Sequence, residues 1–338
     1  MFRQIYKKRR VLVTGHTGFK GSWLSLWLIH LGAEVVGYSL NPPTKPSMFE
    51  SLNIKNKVRH IVGDVRDLPH LRKVVGKYQP EIIFHLAAQP IVKKSYQDPR
   101  ETFETNIIGT VNVFEAVRDS TNRVKAIINI TSDKCYENKE WLYGYRENDA
   151  IGGRDPYSAS KACSELVTAS YRQSFFAQTG LASVRAGNVI GGGDWGEERL
   201  VPDCIKALVH GKTIILRNPE SIRPWQYVLE PLSGYLWLGV LLMKDKLKYS
   251  EAWNFGPKDE NFLTVEQMAQ NIINIWGEGS VKFKKEKYHE TCLLKLDINK
   301  AMTHLHWRPI YNINQAIKNT IHWYQEYYSS DKKNMFDF

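Results

Sequence analysis

A short β-rich run, Val11–Thr14, passes directly into Gly15-His16-Thr17-Gly18-Phe19-Lys20-Gly21, and the chain continues with Trp23, Leu24, Trp27, Leu28 and Leu31 at helical spacing. A strand that ends in glycines and reopens as a helix is a strong constraint. Glycine lets the backbone approach an anion closely, and the first helical turn presents unpaired N–H groups and the positive end of its dipole. The turn therefore predicts a β-α-β unit that cradles a dinucleotide. Its GxxGxxG spacing is a modest signal alone, because glycines also serve ordinary turns; its place between strand and helix is what raises it.

The first half repeats this alternation. Glu34–Tyr38, Arg59–Val62, Ile82–Leu86 and Ala126–Ile130 read as strands, with helical segments near Pro69–Tyr78 and Arg100–Val117. Asp98 is a candidate N-cap followed by Pro99 at the first helical position, and Asp155-Pro156 opens a long helix by the same logic, ending before Gly180. Apolar strands separated by helices predict an α/β fold, a doubly wound parallel sheet covered on both faces. The second half is less regular. Ala182–Arg185 precedes a glycine-rich stretch from Gly187 to Gly196, and Ala252–Phe255 reads as one more strand of the main sheet. Thr264 with Gln267 forms a capping-box pattern for a helix to about Trp276, and Asn312–Tyr328 reads as the last helix. These signals divide the 338 residues into a first domain, 1–185 rejoined by about 231–256, and a smaller α/β domain from 186–230 and 257–330.

Composition removes several classes. With 43% hydrophobic and 24% charged residues, the chain is neither disordered nor a small disulfide scaffold. Its four cysteines, Cys135, Cys163, Cys204 and Cys292, form no CxxC pair, which argues against structural zinc and for a reducing compartment. His304 and His306 have no further ligands around them, so no metal is expected. Cys135 has no histidine placed to activate it and reads as a buried structural thiol. The apolar stretches Trp23–Leu31 and Tyr235–Met243 are about half the ~20 residues a membrane span needs. The basic Lys7–Arg10 run is followed only by Val11–Val13, too short for a secretory signal, and a cytoplasmic protein is expected. The net charge of +11 favours an anionic partner, which could be nucleic acid, acidic membrane or a phosphorylated small molecule. The basic runs Lys7–Arg10 and Lys282, Lys284, Lys285, Lys287 read as solvated surface.

Two further patterns carry chemistry. Tyr157 and Lys161 lie four residues apart, on one face of the helix that Asp155 opens. A phenol with a pKa of ~10 is a poor base unless a cation stabilises its phenolate, and Lys161 offers one. YxxxK is common by chance, and a surface pair is the plain alternative. What precedes it counts against that: Thr131-Ser132-Asp133-Lys134-Cys135-Tyr136 follows the Ala126–Ile130 strand directly, so a hydroxyl, a carboxylate and an amine arrive where open α/β sheets bind ligands. The acid that often ends the second strand and binds an adenosine ribose is missing. Tyr38-Ser39-Leu40-Asn41 stand there instead, with Lys45 the nearest base, so a choice between NAD and NADP stays open.

These residues together resemble the extended short-chain dehydrogenase/reductase family of nucleotide-sugar enzymes. The matches run through most of the chain, from the glycine turn and Gly63–Asp67 through His85-Leu86-Ala87-Ala88-Gln89, Asn106, Gly109-Thr110, Ser132–Tyr136, Tyr157 and Lys161 to Arg185–Val189, Arg223, Asp297, Lys300-Ala301 and Trp307-Arg308-Pro309. Within the family the likeness is to its CDP-glucose-specific 4,6-dehydratase branch. The telling pieces are Ser132–Asn138, Asp155–Lys161, Gly191-Gly192-Gly193-Asp194-Trp195 and Arg223-Pro224-Trp225-Gln226, with Lys134 where dTDP-specific members carry Glu. Tyr227 departs from an expected His.

The resemblance implies a Rossmann-type domain with a smaller substrate domain, and NAD as cofactor. NAD would be held by Gly15, His16, Thr17, Gly18, Phe19, Lys20, Gly21, Asp64, Val65, Leu86, Ala87, Ala88, Gln89, Asn106, Tyr157 and Lys161. It implies CDP-glucose as substrate, contacted by Ser132, Asn188, Asp194, Trp195, Arg199, Arg223 and Tyr227. It implies an internal redox dehydration carried by Ser132, Asp133, Lys134, Tyr157 and Lys161, with Tyr157 lowered in pKa by Lys161, Asp133 raised as the acid and Lys134 lowered as the C5 base. The product would feed deoxysugar and surface-polysaccharide synthesis. The helices near 100–117 and 157–177 would build a homodimer or homotetramer. The rivals are another nucleotide-sugar 4,6-dehydratase, a 4-epimerase, which needs no Asp133-Lys134 pair, and a catalytically idle NAD-sensing protein that binds RNA through its basic surface. No nucleic-acid or membrane partner is expected.

Overall fold

The computed structural model describes residues 2–120, 123–258, 262–284 and 293–329; Lys285, Lys287 and Cys292 lie outside them. Seven apolar runs become the parallel strands of one sheet: β1 (Arg10–Thr14), β2 (Glu34–Ser39), β3 (Arg59–Val62), β4 (Ile82–His85), β5 (Ala126–Ile130), β6 (Gly180–Ala186) and β7 (Ala252–Phe255). Their spatial order is β7-β6-β5-β4-β1-β2-β3. β4, β5 and β6 are buried along their whole length, as a parallel sheet covered on both faces requires. β4 ends at His85, one residue short of its expected end, and β6 is longer than expected at both ends.

The strand order reverses between β1 and β4, which pair side by side with Thr14 opposite His85. At such a switch point the connections leave in opposite directions and open a crevice beyond the carboxyl ends of the strands. Both strands end there in groups tied to each other: Thr14 Oγ1 and His85 Nδ1 are 2.7 Å apart, and Thr14 Oγ1 accepts from the Ala87 amide at 3.2 Å.

The longer helices are α1 (Phe19–His30), α2 (Leu68–Tyr78), α3 (Gly109–Arg118), α4 (Pro156–Ser174) and α6 (Leu229–Lys244), which flank the sheet, and α5 (Leu200–Val209), α7 (Val265–Trp276) and α8 (Ile313–Tyr328), which pack with the segments beyond β6. Their starts follow local chemistry. Asp98 and Asp155 accept from the amides of Glu101 and Ser158 at 2.9 Å, and Thr264 with Gln267 closes a capping box. The segment before α3 is not uniformly α-helical. Pro99–Phe103 runs through a π-turn, Glu104–Ile108, before α3 begins.

Residues beyond β6 form three small sheets: Val189–Ile190 with Gln226–Tyr227, Ile222–Pro224 with Phe262–Thr264, and Ile214–Leu216 with Val281–Phe283. They share the main core. α6 is apolar almost throughout and packs beneath the sheet, and Tyr6 donates to the Leu236 carbonyl at 2.7 Å. Trp23 of α1 donates to the Gly192 carbonyl at 2.9 Å, while a side chain at Gly192 would lie 2.1 Å from the Trp323 ring of α8. Among the described residues no helix is long and apolar enough to cross a membrane.

Candidate active site

The glycine turn leaves the N-terminus of α1 without an internal cap. Gly18 occupies the N-cap position with no side chain accepting a hydrogen bond, and the first turn has no acidic residue. Its amides remain available for an anion, with the helix dipole behind them. A Cβ at Gly21 would lie 2.1 Å from the Gly15 carbonyl oxygen, so that glycine lets α1 press against the turn. A Cβ at Gly18 would meet only that oxygen, at 3.5 Å, and otherwise point into open space. The partly exposed Lys20 adds a cation, brought by burial to about 8 with help from Arg199 and opposed by Asp133 and Asp194. Uncapped amides, a small-residue cradle and a lysine make a donor set that fits a pyrophosphate, hence a dinucleotide.

The remaining residues assigned to the cofactor divide into two groups. Leu86, Ala87 and Ala88 follow β4 at the crevice and are partly exposed. Others have side chains committed elsewhere. The His16 imidazole is fully buried against Phe49 and His60, with Nε2 2.7 Å from His60 Nδ1. Burial and His60 hold His16 down at about 3, so the ring is neutral. Thr17 Oγ1 bonds Ser39 Oγ and the Leu40 carbonyl, at 2.8 and 3.0 Å. Asp64 is gripped by Arg66, and Val65 is buried. Gln89 spends its amide on Ile91 and Thr102. Asn106, carried on the π-turn, accepts from the Gln89 amide at 2.8 Å and donates to the Gln89 carbonyl at 3.1 Å and to Ser160 Oγ at 2.8 Å. It thereby clamps the loop after β4 to α4. Sequence spacing places a residue in a motif but does not say where its side chain points.

The reactive groups converge past β5. Ser132 caps a short 3-10 turn, Asp133–Cys135, by accepting from the Lys134 amide at 3.2 Å, and its hydroxyl donates to Asp133 Oδ1 at 2.9 Å. Asp133 is buried, and that burial raises its carboxyl above the ordinary range against the pull of Lys134, Ser132 and Arg223. From α4, Tyr157 meets the same place. Burial pushes its phenol up to about 12, with a Ser132 hydrogen bond and the Arg199 charge pulling it back. Lys161 is buried, brought by desolvation and by Lys20 to about 8, and its ammonium donates to the Ile130 carbonyl at 3.2 Å. Burial is the largest influence on the Tyr157 phenol, and Arg199 is a cation that opposes it. The Lys134 side chain is exposed, whereas its expected role assumed desolvation. Cys135 is fully buried, and burial raises its thiol.

The residues assigned to substrate approach from the segments after β6. Arg199 pairs with Asp194 through Nη1, which donates to both carboxylate oxygens at 2.8 and 3.0 Å, and Asp194 also accepts from the Gly196 amide. The Asn188 carbonyl accepts from Gln226 at 3.0 Å, next to the buried Tyr227, whose ring packs edge-on against Tyr311. Burial raises the Tyr227 phenol to about 12. Trp195 lies among Trp323, Tyr324 and Tyr327 and donates to Tyr328 Oη at 3.1 Å. Trp225 is buried and donates to the Leu263 carbonyl. Arg223 acts on Asp133 and donates to the Ile222 carbonyl. Among the described residues no group of three His, Cys, Asp or Glu could hold a metal ion.

The GDP-mannose 4,6-dehydratase family profile matches residues 12–320, nearly the whole chain. The chain belongs to the GDP-mannose 4,6-dehydratase family. Relatives in the same group differ in nucleotide. The chain is 48% identical to a CDP-glucose 4,6-dehydratase of Salmonella typhimurium, over 96% of this chain and 92% of that one. It is 25% identical to a dTDP-glucose 4,6-dehydratase of Haemophilus influenzae, over 93% and 97%. Its fold is similar to that of a dTDP-glucose 4,6-dehydratase from Streptomyces venezuelae solved with NAD bound, with a TM-score of 0.82 at 23% identity over 94% and 97% of the two chains. It is equally similar to a UDP-glucose 4-epimerase from Thermotoga maritima, with a TM-score of 0.82 at 22% identity over 95% and 100%.

One group in this family member was not visible as a unit in the sequence. Arg185 and Glu165 form a fully buried ion pair at 2.8 Å. Glu165 also accepts from Thr131 at 2.5 Å and Ser183 at 2.7 Å; Arg185 donates to Tyr136 Oη at 2.7 Å, which donates to Asn254. The network bolts both ends of the Ser132–Lys134 turn to α4, β6 and β7. Polar residues within or directly after otherwise apolar strands, Ser183 and Arg185 in β6 and Thr131 after β5, are the signal that could have revealed it.

Proposed function

We propose that the chain is an NAD-dependent hydro-lyase that converts CDP-glucose to CDP-4-keto-6-deoxyglucose, an intermediate for deoxysugar and surface-polysaccharide synthesis. The observation that carries the reading is the buried, raised carboxyl of Asp133 beside Ser132 and Tyr157. A 4-epimerase needs a hydroxyl and a phenol at C4 but no acid to expel the C6 hydroxyl. Identity of 48% over nearly the full length to a CDP-glucose 4,6-dehydratase supports the choice of nucleotide.

Tyr157 takes the proton of the C4 hydroxyl, with Ser132 orienting it. The phenol lies near 12, so proton removal depends on the positive charge gathered around it, to which Arg199 contributes. NAD, which the Gly15–Gly21 turn and Lys20 would hold, would supply a reversible hydride acceptor within reach of the sugar. The C4 ketone acidifies C5. Lys134 removes the C5 proton, and Asp133, kept protonated by burial, gives its proton to the C6 hydroxyl, which leaves as water. Lys134 then returns a proton to C5. In this reading Arg199, held by Asp194, binds the diphosphate together with Asn188 and Arg223, and Trp195 and Tyr227 line the sugar or base pocket; the Arg199–Asp194 pair supports it. A homodimer or homotetramer in the cytoplasm completes the reading, supported by exposed apolar side chains on the helical faces of the first domain.

The test is turnover of CDP-, dTDP-, UDP- and GDP-glucose, followed by tracing deuterium placed at C4. The expected result is a 4-keto-6-deoxy product from CDP-glucose with the label in its new methyl group. Label lost to water, or an epimer in place of the ketone, would falsify the assignment.

A further inference from the structure

The carboxyl of Asp133 is confined from two sides. Ser132 Oγ donates to Oδ1 at 2.9 Å. Across from Oδ2 lies the backbone of Gly187. A Cβ built on Gly187 would stand 2.5 Å from Asp133 Oδ2, 3.1 Å from its Cγ and 3.7 Å from its Cβ, and these are the three nearest atoms to that point. The space that a side chain at 187 would occupy is thus taken up by one carboxyl group.

Gly187 does not have its small size for backbone reasons. Its φ lies outside the left-handed region that favours glycine. Nor can its backbone retreat. On one side β6 pairs with β5 up to Val184 and with β7 up to Ala186; on the other, Val189 pairs with Gln226, whose amide donates to the Asn188 carbonyl at 3.0 Å. Asp133 sits on a short 3-10 turn and has a rotatable carboxyl. Of the two partners, the carboxyl is the one that must move.

We infer that Gly187 is a positioning residue for water elimination: by presenting bare backbone to Asp133 Oδ2 it lets the acid stand at the leaving hydroxyl, and a side chain at this position expels that acid from its place. The inference rests on the function proposed above, because it assigns Asp133 the role of acid. It separates Gly187 from the residues that bind the cofactor or act at C4. Tyr157 and Lys161 are held by α4 and are not among the three atoms nearest the Gly187 Cβ position.

The experiment combines Gly187→Ala with substitutions of Asp133 in the NAD-loaded protein, using CDP-glucose. A misplacement of about 1 Å at an acid group predicts a loss of about a hundredfold in product formation for Gly187→Ala, with KM changed less than about threefold. Reduced-nicotinamide absorbance should build up on adding CDP-glucose, because oxidation at C4 continues while dehydration stalls. In the Asp133→Asn background, Gly187→Ala should cost less than about a further twofold. A wild-type rate in Gly187→Ala, or losses that multiply in the double variant, would overturn the inference.

A thermal-unfolding cycle reads the contact without reference to activity. Gly187→Ala should lower Tm, and Asp133→Ala, by deleting the carboxyl, should remove that penalty, even if Gly187→Ala alone does not fold. A penalty that persists after the carboxyl is gone overturns the inference. Wild-type protein that makes no 4-keto-6-deoxy product from CDP-glucose would instead sink the proposed function, leaving the thermal cycle to decide the contact.

Discussion

Lys161 stands with its ammonium buried and its pKa brought from 10.5 to about 8. Such a group costs the fold stability. Below about pH 8 it is charged in both states, and the cost of burying that charge is fully present. Between about 8 and 10.5 the folded protein gives up the proton before the unfolded chain does, so stability rises with pH across that window. Lys161→Met should therefore stabilise the protein at pH 7 by on the order of 2–3 kcal/mol, with the advantage fading toward pH 10, while turnover is lost. Denaturant titrations across pH check this; a variant less stable than wild type at pH 7 would refute it. The sign is opposite for the working state of Asp133. Burial raises its carboxyl, and the acid acts protonated, so dehydration should fall as pH rises through that shifted value. Asp133→Asn should remove this limb from the pH profile. Lys134→Ala should block water loss yet permit oxidation at C4, seen as reduced-nicotinamide absorbance with little product. Normal dehydration by that variant would reassign the C5 base.

At the level of elements, the three glycines of the turn are equal in the sequence and unequal in the fold. Gly21→Ala drives a methyl to within 2.1 Å of the Gly15 carbonyl and should destabilise by about 1–3 kcal/mol. Gly18→Ala meets only ordinary contact, so its Tm should stay near wild type while NAD affinity, measured by calorimetry, falls as the methyl enters the anion site. If the two variants exchange behaviours, the account of the turn is wrong. The Glu165–Arg185 pair is a second such element. Glu165→Gln should cost about 3–5 kcal/mol, because it leaves a buried guanidinium without its counter-charge.

What the sequence made legible at this scale was local. Strand runs, the Asp98 and Asp155 caps and the Thr264–Gln267 box depend on residues within four positions of each other, and they appear where expected. The parallel, doubly wound character of the sheet followed from the alternation of strands with helices, whereas the strand order is seen only in the fold. The π-turn that aims Asn106, the inward turn of His16 and the approach of Gly187 to Asp133 depend on partners 17 to 54 residues away. No spacing rule encodes contacts over such separations.

For the whole molecule, the net charge of +11 and the exposed apolar side chains are separate surface features. Leu166 is 60% exposed, Phe175 49% and Ile108 49%, on or beside the helices α3 and α4, and Phe103 is also exposed. α4 thus does two jobs. Its inner face holds Tyr157 and Lys161 in the crevice, and its outer face leaves large side chains in water. A second copy meeting the first through this face would bury them and stiffen the helix that carries Tyr157 and Lys161. Leu166→Glu places a charge at the centre of that face, far from the Tyr157 end of α4. It should shift the protein toward monomer by light scattering, with the NAD-loaded monomer keeping the fold by circular dichroism and losing turnover as subunits separate on dilution. An unchanged mass for Leu166→Glu would show that another surface joins the copies, and a fully active monomer would show that the outer face of α4 has no bearing on its inner one.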